Sequence, residues 1–175
     1  MKTLEDHLSQ YAAYHRDVRN IATHLVGIPM IVFAVEVLLS RPALGTLAGV
    51  ALSPALLLAL AFAAFYLRLD LRFGVVMTAL FALGLWAGQT LAALPTAQWL
   101  SIGIGAFVVG WIVQFVGHYF EGRKPAFVDD LVGLMVGPLF VVAEVAFFAG
   151  LRGDVRRAVE QRAGPVHGGA HDAHV

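Results

Sequence analysis

The first twenty residues are polar and include Glu5, Asp6, His7, His15, Arg16, Asp17 and Arg19, so the start reads as mature protein and not as a cleaved leader. Residues 21–39 then turn apolar, broken by Thr23, His24 and Glu36, a length that suits one membrane crossing of about 20 residues. No Lys, Arg, Asp or Glu lies between Arg41 and Arg68, and the Leu/Ala/Phe run 55–67 follows Ser53-Pro54, which predicts a second span. Residues 73–120 also lack these charges. That stretch is too long for one helix and right for two joined at Leu94-Pro95-Thr96, the second ending at His118. The last apolar segment, 131–151, contains Glu144 and Gly137-Pro138, and a proline inside a helix removes a backbone hydrogen bond. The expected fold is therefore all-α: a polytopic membrane helical bundle of four spanning helices plus a fifth, broken or re-entrant helix at Gly137-Pro138.

Lys and Arg favour the cytoplasmic side of a membrane. Lys2, Arg16, Arg19, Arg68, Arg72, Arg123 and Lys124 fall on one side of this pattern and only Arg41 on the other, which places the N-terminus inside. Arg152, Arg156, Arg157 and Arg162 agree if the last segment turns back at Gly137-Pro138. Residues 1–151 are expected to form one membrane-embedded domain. Residues 152–175 are expected to be a polar, disordered tail, Gly- and His-rich from 163.

Composition narrows the function. With 59% hydrophobic and 14% charged residues in 175, the chain is no water-soluble monomer. Twelve basic residues balance twelve acidic ones, giving nucleic acid no basic surface to bind. The absence of Cys excludes disulfides, thiolate metal sites, iron–sulfur clusters and cysteine nucleophiles, so a metal here must be held by nitrogen and oxygen. Gly103, Gly105 and Gly110 permit close helix contacts, including those of a homo-oligomer.

The polar groups at membrane depth gather on one side. His24 opens the first span and His118 closes the fourth, with His15, Asn20, Glu121 and Arg123 flanking them. Asn20 shares a helix face with His24, Gln114 with His118, and His118 with Glu121. Nine residues at 100° each put His15 and His24 on opposite sides of a straight helix, so they meet only if the chain bends or the helix starts between them. Imidazole plus carboxylate without thiolate suits non-haem Fe(II), Zn or Mn. The plain alternative is a solvated His15, with His24 and His118 hydrogen-bonded at the membrane interface.

Residues 14–29, with His15, Asn20, His24, Gly27 and Pro29, resemble the N-terminal motif of the fungal-type 2-hydroxy fatty acid dioxygenase family, small membrane proteins once catalogued as a domain of unknown function. Gln114, Gly117-His118, Phe120-Glu121-Gly122-Arg123 and Pro125-Ala126 resemble its central motif. Gly137-Pro138-Leu139-Phe140 with Glu144 resembles its last segment. The likeness runs in order from about residue 11 to 144. It departs at Asp129-Asp130-Leu131-Val132-Gly133-Leu134, where the family pattern carries an Asn and a Gln-Ser pair, and no role is carried over there.

The resemblance implies an Fe(II)-dependent membrane enzyme that uses dioxygen to shorten a 2-hydroxy fatty acid by one carbon, the alpha-oxidation step of phytosphingosine breakdown. It would reside in the inner membrane of a bacterium or the endoplasmic reticulum of a eukaryote, in contact with membrane lipid. On this reading His15, His24 and His118 are the metal ligands. Glu121 completes the set or orients His118, Asn20 and Gln114 support it, and Arg123 either pairs with the substrate carboxylate or contacts a lipid headgroup. The acyl tail lies between the apolar spans. Glu144 reaches the site only if the last segment folds back. Glu36, about 18 Å of helix rise beyond His24, sits at the opposite interface. His167, His171 and His174 belong to the tail, and Trp86, Trp99 and Trp111 serve as interface anchors and packing. Two competing classes stand beside this one. A two-iron hydroxylase or desaturase needs more histidines than the four outside the tail. A non-catalytic scaffold or small transporter needs no polar cluster and holds no iron.

Overall fold

Thr3 opens the first helix, α1 (Leu4–Ala12), through a reciprocal cap: its hydroxyl accepts from the Asp6 N–H, and the Asp6 carboxylate accepts from the Thr3 N–H. The computed structural model describes residues 2–47, 50–123 and 132–168. Pro125-Ala126, Asp129-Asp130-Leu131 and the histidines at 171 and 174 lie outside these. After α1 come α2 (Val18–Ser40), a short antiparallel ribbon of β1 (Gly45–Leu47) and β2 (Val50–Leu52), then α3 (Pro54–Leu69), α4 (Leu71–Ala92), α5 (Thr96–Glu121), α6 (Val132–Phe148) and α7 (Gly153–Ala163).

The helices fall where the apolar runs place them, with Pro95 just before α5. Among the described residues α2, α4 and α5 are long and apolar enough to cross a membrane, and α6 with α7 qualifies as a pair bent by 114°. The protein is an integral membrane protein. The expected second span, α3, is equally apolar but only 16 residues long. At 1.5 Å per residue it rises about 24 Å, less than the roughly 30 Å hydrocarbon core.

Two compact units divide the chain, Met1–Ile28 with Trp111–Val175, and Pro29–Gly110. Within the second, Ser53 caps α3 ahead of Pro54, and Asp70 ends α3 while its carboxylate accepts from the Phe73 N–H to start α4. Glu36 is buried against two glycines of α4: a Cβ on Gly84 would stand 2.7 Å from Glu36 Cδ, and one on Gly88 2.8 Å from Ser40 Oγ. The Trp99 indole donates to the Val37 carbonyl, and the Arg41 guanidinium lies over the Trp99 ring.

The first unit corrects two expectations. The last apolar helix does not break at Gly137-Pro138, because α6 runs through both residues. Proline there costs one backbone bond, while Val136, Leu139 and Phe140 around it are buried and Gly137 is packed under Tyr11 and Ile28. The break comes instead after Phe148. Gly150 and Arg152 take left-handed φ values of 76° and 53°, and the Gly150 and Leu151 N–H groups close the helix end onto the Phe147 and Ala146 carbonyls.

Residues 153–163, within the expected tail, are likewise helical. They form α7, whose Val155 and Val159, one turn apart, are buried as it packs along α1. The Arg-rich composition masks that short stripe. Helix α7 lies in the same compact unit as α1 and α6.

Candidate metal centre

Asp17 decides where His15 goes. Its carboxylate accepts from the Arg19 N–H at 2.8 Å, the bond of an N-cap, and is clamped by the Arg19 guanidinium at 2.7 and 3.1 Å. Helix α2 accordingly begins at Val18, and His15 sits on the turn before it, free of the helical register that would turn it away from His24.

On that turn the His15 ring stacks on Tyr11, centroids 4.2 Å apart, and its Nδ1–H donates to the Tyr11 carbonyl at 2.7 Å. His24, in the second turn of α2, uses Nδ1–H in the same way toward the Asn20 carbonyl at 2.9 Å. A carbonyl only accepts, so both rings carry their proton on Nδ1 and keep an Nε2 lone pair. His118 comes from the last turn of α5. The three ring centroids are 4.4, 5.1 and 5.0 Å apart, all three side chains are buried, and one ligating atom from each lies within 4.8 Å of the others. The Nε2 of His15 is buried without a hydrogen-bond partner. Burial, followed by the neighbouring His24, holds the His15 pKa well below its ordinary value, so the imidazole is neutral. An unpartnered lone pair among three buried imidazoles, two of them fixed in tautomer by backbone carbonyls, is a donor set that fits a transition metal ion.

The other expected residues take different places. Glu121 accepts from the Arg16 N–H at 2.9 and 3.0 Å, the Asp17 N–H at 2.9 Å and Asn20 Nδ2 at 2.8 Å. Its carboxylate therefore ties the end of α5 to the turn that carries His15 and does not join the three ligating atoms. Asn20 is fully buried, with its Oδ1 unpartnered, and its carbonyl also accepts from the Thr23 hydroxyl. Gln114, one turn before His118, is buried with its Oε1 unpartnered. Arg123 is exposed and donates to the Ala13 carbonyl at 2.7 Å. Glu144 meets Arg16 at 3.4 Å and not the histidines. Gly117 lets α5 approach α2 at this level, since a Cβ there would run into Thr23 and Asn20.

Tyr11 and Arg16 were not singled out from the sequence. The four-residue spacing of Tyr11 and His15 was the available signal for the first, and an arginine directly beside a candidate ligand for the second.

A family model described as 2-hydroxy-palmitic acid dioxygenase Mpo1-like matches residues 1–149. The chain is 31% identical, over 161 residues, to the 2-hydroxy-palmitic acid dioxygenase MPO1 of Saccharomyces cerevisiae, covering 90% of this chain and 87% of that protein. No solved structure matches the chain.

Proposed function

The chain belongs to the Mpo1-like 2-hydroxy-palmitic acid dioxygenase family, and from that premise we propose that it is an Fe(II)-dependent dioxygenase of membrane-dissolved 2-hydroxy fatty acids that yields an acid one carbon shorter. The observation that carries the metal part of this reading is the buried cluster of His15, His24 and His118. An Fe(II) ion held there would offer open positions to dioxygen and to the oxygen donors of the substrate, and would relay to dioxygen the electrons that the 2-hydroxy acid gives up.

The protein's own groups do the rest. The Tyr11 and Asn20 carbonyls hold two imidazoles in the ligating tautomer. The unpartnered Asn20 Oδ1 and Gln114 Oε1 are acceptors for the hydroxyl that distinguishes the substrate from a plain fatty acid. Glu121 keeps the His15 turn against the end of α5. Arg123, with guanidinium N–H groups beyond the one given to Ala13, meets the carboxylate at the membrane surface. Apolar helix surface receives the acyl tail.

Metal analysis of detergent-purified protein, with 2-hydroxypalmitate turnover after anaerobic Fe(II) loading, tests the reading. The intact protein is expected to hold one iron, and His24→Ala and His118→Ala to lose it while keeping their helical circular dichroism. Stoichiometric iron in both variants would overturn the ligand set.

A further inference from the structure

The family match stops at residue 149, yet the chain beyond it is folded onto the His15 turn. That turn cannot satisfy its own backbone. Val18 opens α2 and its N–H has no helical partner, and the Arg16 carbonyl lies outside any helix. His167 supplies both missing partners: its N–H donates to the Arg16 carbonyl at 2.9 Å, and its carbonyl accepts from the Val18 N–H at 3.0 Å.

The Arg16 side chain adds a second tie. Its buried guanidinium donates through Nε to the Ala12 and His15 carbonyls at 2.9 Å, through Nη1 to the Gly164 carbonyl at 3.1 Å, and through Nη2 to Glu144 at 3.4 Å. Helix α7 brings residues 164–167 to this point. It is anchored by Val155 and Val159, and Arg162 pairs with Asp6 of α1 at 2.7 Å.

We propose that residues 153–167 form a strap that positions His15 for metal binding, acting through the backbone bridge at His167 and through the Arg16 guanidinium. The inference rests on the three histidines being a metal site. His15 is the one ligand of the three not carried by a long helix, so its position depends on the groups that hold its turn. Partners of this kind, which orient a ligand without touching the metal, typically change affinity 10- to 100-fold when lost.

The full-length protein tests it with Co(II), read both as a dissociation constant and as a ligand-field spectrum. His167→Pro deletes the N–H given to Arg16, whereas His167→Ala keeps both backbone bonds. Val159→Asp undocks α7 by an independent route. His167→Pro and Val159→Asp are expected to bind Co(II) about 10- to 100-fold more weakly with an altered spectrum. His167→Ala is expected to match the natural chain, and all three to keep their helical content. Natural-chain affinity and spectrum in His167→Pro overturn the strap, as does an equal loss in His167→Ala, which would move the effect to the side chain. If the natural chain itself binds no Co(II), the metal reading of the site fails, a different result from an unaffected His167→Pro.

Discussion

Gly117→Ala separates close helix approach from helix propensity at the metal centre. A Cβ on Gly117 would stand 2.5 Å from Asn20 Oδ1 and 3.2 Å from Thr23 Cβ, and nearer still to Thr23 Oγ1, where ordinary contact starts at 3.4 Å. Either α5 moves from α2 by roughly 1 Å, or Thr23 and Asn20 both turn away, Asn20 giving up its bond to Glu121. Metal sites tolerate errors of about 0.2 Å, so a shift of that size beside His118 exceeds what the three histidines absorb. Overpacking costs about 1–3 kcal/mol, and alanine returns about 1 kcal/mol of helix propensity, leaving a net loss of up to about 2 kcal/mol. Gly105→Ala, in the same helix with nothing within 4 Å of its added Cβ, is the control and should gain the propensity alone. Thermal melting in detergent and Co(II) titration of the two variants provide the assay: Gly117→Ala should melt lower and bind the metal at least about tenfold more weakly. Equal melting and equal affinity in the two would refute the close approach of α5 and α2.

Glu121→Gln presents an amide N–H₂ to a site that now accepts from two backbone N–H groups and Asn20, and should cost about 1–3 kcal/mol with weaker metal binding; unchanged melting would release Glu121 from its anchoring role. In the metal-free protein, burial depresses His15 below its ordinary 6.5, so the unfolded chain takes up the proton first. The contribution of His15 to stability is then fully present above about pH 6.5 and is lost as pH drops below it, and His15→Phe should flatten that slope in melting curves between pH 7.5 and 5. Palmitate should bind without turnover, and shorter 2-hydroxy acids should lose roughly 0.8 kcal/mol of affinity per CH₂, with equal turnover of the hydroxylated and plain acids as the contrary result.

Hydropathy sufficed for the long helices because each apolar run is bounded by charges or proline. It also brought His24 and His118 to one side. The meeting of His15 with them was readable only as a condition, a bend or a helix start between His15 and His24, and the Asp17 cap starts α2 at Val18 between the two. Asp is itself a favoured N-cap residue, so a helix start at Asp17 was within reach of the sequence. The role of Glu121 was not. Its candidate partners along its own helix were His118 and solvent, while the bonds it makes go to backbone N–H groups more than a hundred residues away. Gly137-Pro138 misled for a related reason: local breaking tendency was outweighed by packing against Tyr11 and Ile28, which no local window contains. Helix α7 escaped notice because two valines among arginines make a weak pattern until α1 is there to bury them.

The buried Glu36 has a consequence for how the sequence can vary. Its carboxyl group fills the space that any side chain at position 84 would need. The two positions, 48 residues apart in the chain, are thus coupled: alanine or anything larger at 84 displaces the Glu36 carboxyl group unless position 36 carries a shorter residue. Across the family, glycine at this point of α4 should follow the acid in α2 from one sequence to the next.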